Sequence, residues 1–275
     1  MWARGSGDWL SREATETAEA FSRTYEYKLH RDARITGFQM GLDLGSRDLL
    51  APGDALVFGI LGGWVQSDLE YDAVARHFDV DGTQVGAYAT YLRGGLFVDT
   101  LFKADILDHE QDLLGFPDGF DATSLGVRTD AGYRFGSFRS GPFIEPLATI
   151  GVVWSELEDF ALGGNQVSFG DDPNWRGRVG LRVGTGYQPW TGVTLEPFLI
   201  ASLWSDLGDA REATLVSSGE TFNFEDDPEE IWGEVSAGVN LFNPSANTAV
   251  FAKVDVTFGE DLEGVGARAG MRVSW

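Results

Sequence analysis

The 275-residue chain contains no cysteine, only three histidines, and no uninterrupted apolar stretch of the length a spanning helix needs, which is roughly 18 residues. The missing cysteine rules out a disulfide framework. The best apolar run, Leu56-Val57-Phe58-Gly59-Ile60-Leu61-Gly62-Gly63-Trp64-Val65, is too short for a spanning helix and is broken by a glycine pair. The histidines, His30, His77 and His109, lack metal-ligand spacing. No phosphate-binding or dinucleotide-binding glycine motif is present, so no cofactor and no metal is expected. Cations are scarce: 20 Lys and Arg stand against 43 Asp and Glu, a net charge of −23. Nucleic acid is therefore not an expected partner, because phosphate contacts need a basic surface. The opening Met1-Trp2-Ala3-Arg4-Gly5 has neither the basic segment nor the apolar core of a secretory signal. An exported form is expected to carry its signal further upstream.

The material that is present suits an ordered fold. Hydrophobic residues make up 43%, aromatics 13%, and there are 36 glycines; mean hydropathy is only −0.13, unlike a bundle of membrane helices. The dominant pattern has period two, which places alternate side chains on opposite faces of a strand. Val265, Ala267, Ala269, Met271, Val273 and Trp275 alternate with Gly266, Arg268, Gly270, Arg272 and Ser274. Val127, Thr129, Ala131, Tyr133 and Phe135 oppose Arg128, Asp130, Gly132 and Arg134. Similar segments oppose apolar residues to Asp99, Lys103 and Asp105, to Arg178 and Arg182, and to Lys253 and Asp255. A soluble sandwich also alternates, but here the polar face mixes Arg, Lys, Asp and Glu with glycine, which suits a wet lumen. The apolar face carries small and medium residues with aromatics near segment ends, as a lipid-facing belt does.

Twelve such segments can be marked, at about 1–10, 33–45, 55–67, 82–93, 95–107, 122–136, 142–156, 174–188, 191–205, 230–241, 248–258 and 264–275. The expected fold is all-β: a transmembrane, antiparallel up-and-down β-barrel of twelve strands, forming one domain over 1–275. Connections alternate between tight, Gly-, Pro-, Asn- and Ser-rich turns and longer regions around 11–32, 68–81, 108–121, 157–173 and 206–229. The link 259–263 is the exception, short on the long side. An even strand count brings both termini to the short-turn side, expected to be periplasmic, with long loops outside.

The pattern resembles the autotransporter β-domain, the type V secretion translocator barrel. The likeness runs from Trp2-Ala3-Arg4-Gly5, similar to that family's Trp-x-Arg-Gly opening, through Gly37-Phe38-Gln39-Met40-Gly41, Gly86-Ala87-Tyr88 and Phe143-Ile144-Glu145-Pro146. It ends at Gly270-Met271-Arg272-Val273-Ser274-Trp275. The resemblance implies location in the outer membrane of a Gram-negative bacterium and transport of an N-terminally attached passenger. A linker helix would lie in the pore and precede the first strand. Because that strand starts near residue 1, passenger and helix are expected to lie outside this chain, and no linker cleavage residue is assigned. Implied partners are outer-membrane lipid and lipopolysaccharide, the barrel-assembly machinery, and the chain's own passenger and linker helix. Met271, Val273 and Trp275 are the expected assembly signal; the plainer reading of Trp275 is an interfacial anchor.

The expected pore-lining residues are Asp99, Lys103, Asp105, Arg128, Asp130, Arg134, Glu145, Arg178, Arg182, Glu196, Glu234, Lys253, Asp255, Arg268 and Arg272. They serve either as a polar wall along which a passenger slides or as ion pairs that fill and stiffen the barrel. Glu145-Pro146 and Glu196-Pro197 recur in neighbouring odd-numbered segments, which places both carboxylates at similar depth. No catalytic residue is expected. A stand-alone porin is the alternative; an outer-membrane hydrolase, using a loop histidine paired with Asp or Ser, is a weaker one. Acid concentrates in the long connections, for example Asp68, Glu70, Asp72, Asp79 and Asp81. Divalent cations there would bridge the protein to lipopolysaccharide, since hard cations favour carboxylate oxygen. Melting in lipopolysaccharide should then drop when a chelator is added; an unchanged melting temperature removes the idea.

Overall fold

A computed structural model describes residues 1–274 apart from 21–22, 72–75, 114–115, 138–139, 158–159, 163–164, 171–172, 209–210, 218–219 and 227–230. Twelve long strands carry the architecture. They are β1 Trp2–Ala20, β2 Arg23–Arg47, β3 Asp54–Tyr71, β4 Arg76–Arg93, β5 Leu96–Leu113 and β6 Phe116–Tyr133, then β7 Gly141–Leu157, β8 Asn174–Trp190, β9 Val193–Asp206, β10 Ile231–Asn243, β11 Thr248–Phe258 and β12 Leu262–Val273. Each pairs antiparallel with its sequence neighbours. The sheet closes because β1 has two partners: Gly7 faces Thr36 of β2 on one side and Ala267 of β12 on the other. No edge is left along that stretch, so every backbone donor and acceptor in the wall can be satisfied by its neighbours.

Five short links lie at one end. The β4–β5 turn is only Gly94 and Gly95, and Gly94 takes φ +57°, a left-handed conformation that a two-residue hairpin requires and glycine adopts without strain. In the β2–β3 link, the Asp54 carboxylate accepts from the backbone N–H of Leu49, Leu50 and Ala51 at 3.0, 3.1 and 2.7 Å, fixing the turn. Both termini meet at this end, where the Met1 ammonium donates to the Val273 carbonyl at 3.0 Å.

The opposite end differs from the sequence expectation. The described residues of the regions 11–32, 68–81 and 108–121, read as loops, continue as paired strand, with Ala20 facing Arg23, Tyr71 facing Arg76 and Leu113 facing Phe116. Hairpin strands Arg211–Ser217 and Glu220–Asp226 occupy most of the expected loop at 206–229. The physical reason is that a hairpin projecting beyond the apolar band needs no apolar face. Its alternation of hydrophobicity disappears while its backbone ladder persists. His30, His77 and His109 accordingly lie on β2, β4 and β5. The link after Phe258 is short, as expected.

The two faces of each strand differ sharply. On β11, Val254 is 57% exposed and Asp255 only 4%. In a closed barrel the exposed set points outward and the covered set inward. Outward aromatics collect at two levels, with Trp9, Trp64, Trp154 and Trp175 towards the hairpin end and Tyr133, Phe135, Tyr187 and Trp190 towards the short turns. From Trp175 to Tyr187 is 12 residue steps. That corresponds to about 40 Å of strand, or about 30 Å of height at a tilt of roughly 40°, close to the apolar band of outer-membrane barrels.

Placing charge on that outer wall should be costly only in lipid. Val254→Arg is expected to lower unfolding stability in phospholipid vesicles by about 2–4 kcal/mol. Urea titration of the vesicle-inserted barrel measures it, and a loss below about 0.5 kcal/mol would mean that this wall does not contact hydrocarbon.

Candidate functional site

The inner face is built by register. On β8, inward Arg178 and Arg182 alternate with outward Val179, Leu181 and Val183, and Gly177, Gly180 and Gly184 stand between them along the chain. Glycine is used where an aromatic ring lies flat on the next strand. A Cβ at Gly184 would sit 2.6 Å from the Phe143 ring, and one at Gly238 would sit 2.5 Å from the Phe198 ring. These two rings form the floor of the most enclosed charge cluster.

That cluster joins four of the expected residues near the short-turn end. Arg134 reaches Glu145 at 2.8 Å and Glu196 at 2.8 Å. Arg182 reaches the same two carboxylates at 3.3 and 2.9 Å. Asn240 donates a further bond to Glu196 at 3.1 Å. Glu196 is among the most buried side chains described, at 2% exposure. The guanidinium of Arg134 stacks 3.9 Å from the Phe143 centroid, and that of Arg182 lies 4.1 Å from Phe198. Two carboxylates and two guanidiniums thus form a neutral box, each carboxylate shared by both arginines, with ring faces taking the remaining cationic surface. The two Glu-Pro segments bring their carboxylates to one depth, as their spacing requires.

Three further groups follow around the wall. Asp130 accepts from Arg128 at 2.7 Å, Arg178 at 3.2 Å and Thr149 at 2.6 Å. Asp255 pairs with Lys253 at 2.7 Å and with Arg268 at 3.5 Å, and Arg268 also reaches Asp8 at 3.0 Å. Lys253 contacts Ser236 at 3.4 Å, which in turn reaches Glu234 at 3.4 Å. Arg272 pairs with Asp43 at 2.8 Å, and Asp43 accepts from Tyr88, whose hydroxyl accepts from the Trp2 indole. Lys103 and Asp105 pair with each other along β5 at 2.9 Å, and Asp99 accepts from Thr90, both apart from the larger groups. Met271 is exposed on the outer wall and Val273 half-buried; Trp275 lies outside the described residues.

Residues not picked from the sequence are needed to complete these groups. Asp8, Asp43, Arg4, Gln39 and Gln84 all point inward, with Arg4 donating to Gln39 at 2.8 Å. Alternation in Trp2, Arg4, Ser6 and Asp8 carried the signal for two of them. Asp8 and Asp255 approach from either side of Gly266, where a Cβ would lie 2.4 Å from one carboxylate and 2.1 Å from the other. That vacancy lets Arg268 serve both. Across the outer face, His30 lies 3.6 Å from Asp32 and 3.9 Å from Glu13, acids rather than a nucleophile.

A closed twelve-stranded wall with an apolar outside and a charge-paired inside defines an outer-membrane-type barrel. The Autotransporter beta-domain family model matches residues 1–255, and the chain belongs to that family, whose barrels are outer-membrane translocators. Solved structures agree in fold. The beta domain of the Bordetella autotransporter BrkA superposes with TM-score 0.74 at 20% identity, covering 98% of this chain and 99% of that one. The transport unit of AIDA-I from Escherichia coli gives 0.75 at 14% identity, covering 100% and 90%. The translocator domain of NalP from Neisseria meningitidis gives 0.60 at 12%, covering 98% and 87%.

Removing one member of the buried box leaves opposite charges unmatched in a closed interior. Glu196→Ala should destabilise the folded barrel by about 3–5 kcal/mol, whereas Arg128→Ala, at a half-exposed side chain, should cost about 1 kcal/mol or less. Heat-shifted gel mobility and urea unfolding measure both; equal losses would contradict the ranking by burial.

Proposed function

We propose that this barrel sits in the outer membrane of a Gram-negative bacterium with its short turns and both termini in the periplasm and its long hairpins outside. From there it gives an N-terminally attached passenger its route to the cell surface. The observation that carries this reading is a family-typical barrel whose charged residues face a closed interior. The inner-face residues, from Asp99 round to Arg272, line that route. Most are tied to each other, so their role is to hold the wall rigid and polar while leaving few free charges to capture a moving chain. Arg4 is the exception in partner strength, since it is held by neutral Gln39 rather than by a carboxylate.

The remaining partners follow from the same reading. The C-terminal strand, with Met271 and Val273 leading to Trp275, supplies the strand recognised by the barrel-assembly machinery through edge pairing. Acidic hairpins meet lipopolysaccharide across divalent cations. The chain catalyses no reaction; its work is insertion and passage.

A signal peptide, an epitope-tagged reporter segment and a linker placed before residue 1 test the route. With the barrel inserted, externally added protease should remove the epitope from intact cells. An epitope that stays protected while the barrel is folded in the membrane overturns the translocation reading and favours a plain channel. Deleting Trp275 should slow insertion severalfold, followed by pulse-labelling and heat-shifted mobility, with no change in the folded product.

A further inference from the structure

The β2–β3 link differs from other short links at its end of the barrel. The β4–β5 turn is two glycines, and the β10–β11 link is Pro244-Ser245-Ala246 held between Asn243 and Asn247. The β2–β3 link instead reads Asp48-Leu49-Leu50-Ala51-Pro52-Gly53. Its two leucines are 56% and 70% exposed, while Asp54, the acid that folds it, is 3% exposed. Turns in water ordinarily present their polar residues and cover their apolar ones.

The backbone is equally distinctive. The Asp54 carboxylate accepts from the N–H of Leu49, Leu50 and Ala51. The Asp48 N–H donates to the Asp54 carbonyl, and the Asp54 N–H to the Ala51 carbonyl, both at 3.1 Å. Gly53 N–H donates to Asp48 Oδ1 at 2.6 Å, and proline has no N–H at position 52. Two left-handed residues, Asp48 at φ +54° and Gly53 at φ +81°, bend the chain into this shape. Every backbone donor from Asp48 to Asp54 is thus satisfied within the link, without water. A turn bathed in water has no need of this, because solvent supplies partners for its N–H groups. A turn against hydrocarbon does, because lipid supplies none.

The lipid-facing wall leads directly to this turn. Outward Met40, Leu42 and Leu44 descend β2 beside Ile60 and Phe58 of β3, and Leu44 is 81% exposed. Leu49 and Leu50 continue that surface past the last rung, at the end where Tyr187 and Trp190 mark the bilayer edge. Arg47 and Arg93 stand exposed beside the turn, with Arg93 facing Asp54 in the ladder, and among the described residues neither makes an ion pair. We propose that the β2–β3 turn is a membrane anchor, which seats Leu49 and Leu50 among the acyl chains of the adjoining leaflet with Arg47 and Arg93 on lipid phosphates. The buried Asp54 makes this possible by taking up three N–H groups that would otherwise need water. The inference rests on the barrel spanning a bilayer; it depends neither on what passes through the lumen nor on which end of the barrel faces out.

The chain contains no cysteine, so a single Leu50→Cys can carry an environment-sensitive fluorophore on the full chain inserted in phosphatidylcholine–phosphatidylglycerol vesicles. Its emission should be blue-shifted. Phospholipid brominated high on its acyl chains should quench it severalfold more than it quenches the same label on Ser245→Cys, in the exposed β10–β11 link. Water-like emission from the Leu50→Cys barrel, or quenching no greater than in the Ser245→Cys barrel, overturns the proposal and leaves the leucines to a protein partner. Adding Asp54→Ala to the labelled Leu50→Cys barrel frees three N–H groups and should cancel most of the quenching while heat-shifted mobility stays normal. Unchanged quenching in that folded double variant overturns the role given to Asp54. The readout needs no passenger, so a barrel that exports no reporter yet shows the quenching separates this anchor from the translocation reading.

Discussion

In hydrocarbon no water is at hand for a backbone N–H or C=O, and each one left unpaired costs several kcal/mol. The pairing of β1 with both β2 and β12 is therefore the contact on which everything else rests. Once the ladder is closed, each strand has one face towards lipid and one towards a narrow interior, and the period-two pattern is no longer optional. An outward valine at position 254 and an inward aspartate at 255 are two consequences of one geometric fact.

Closure then sets the electrostatics. Long charged side chains entering a confined interior must be matched, because an uncompensated buried charge is far more expensive than an exposed one. The wall meets this by sharing: Glu145 and Glu196 each serve Arg134 and Arg182, and Asp130 serves Arg128, Arg178 and Thr149. Glycine provides the room, under Phe143 and Phe198 and between Asp8 and Asp255. Acid in excess of these pairs lies largely on the projecting hairpins, where water screens it.

Legibility in the sequence followed the same division. The segments inside the apolar band, such as 248–258 and 264–275, were readable because lipid on one side and water on the other impose alternation. The hairpin extensions above it were not, since with water on both faces only backbone pairing holds them and pairing leaves no mark on a single strand's composition. Arg134, Glu145, Arg182 and Glu196 could each be placed on a polar face one strand at a time. That they form one box could not be read, because Arg134, just past the end of β6, and Glu196 are 62 residues apart in the chain.

What the sequence determined by itself was the face each side chain takes, since alternation is local and fixed by the geometry of an extended backbone. What only the tertiary structure decided was which charge meets which. Partnership depends on register and closure: Gly266 beside Asp8, Arg34 beside Trp9 and Glu196 within reach of two arginines are set by how twelve strands align around a ring.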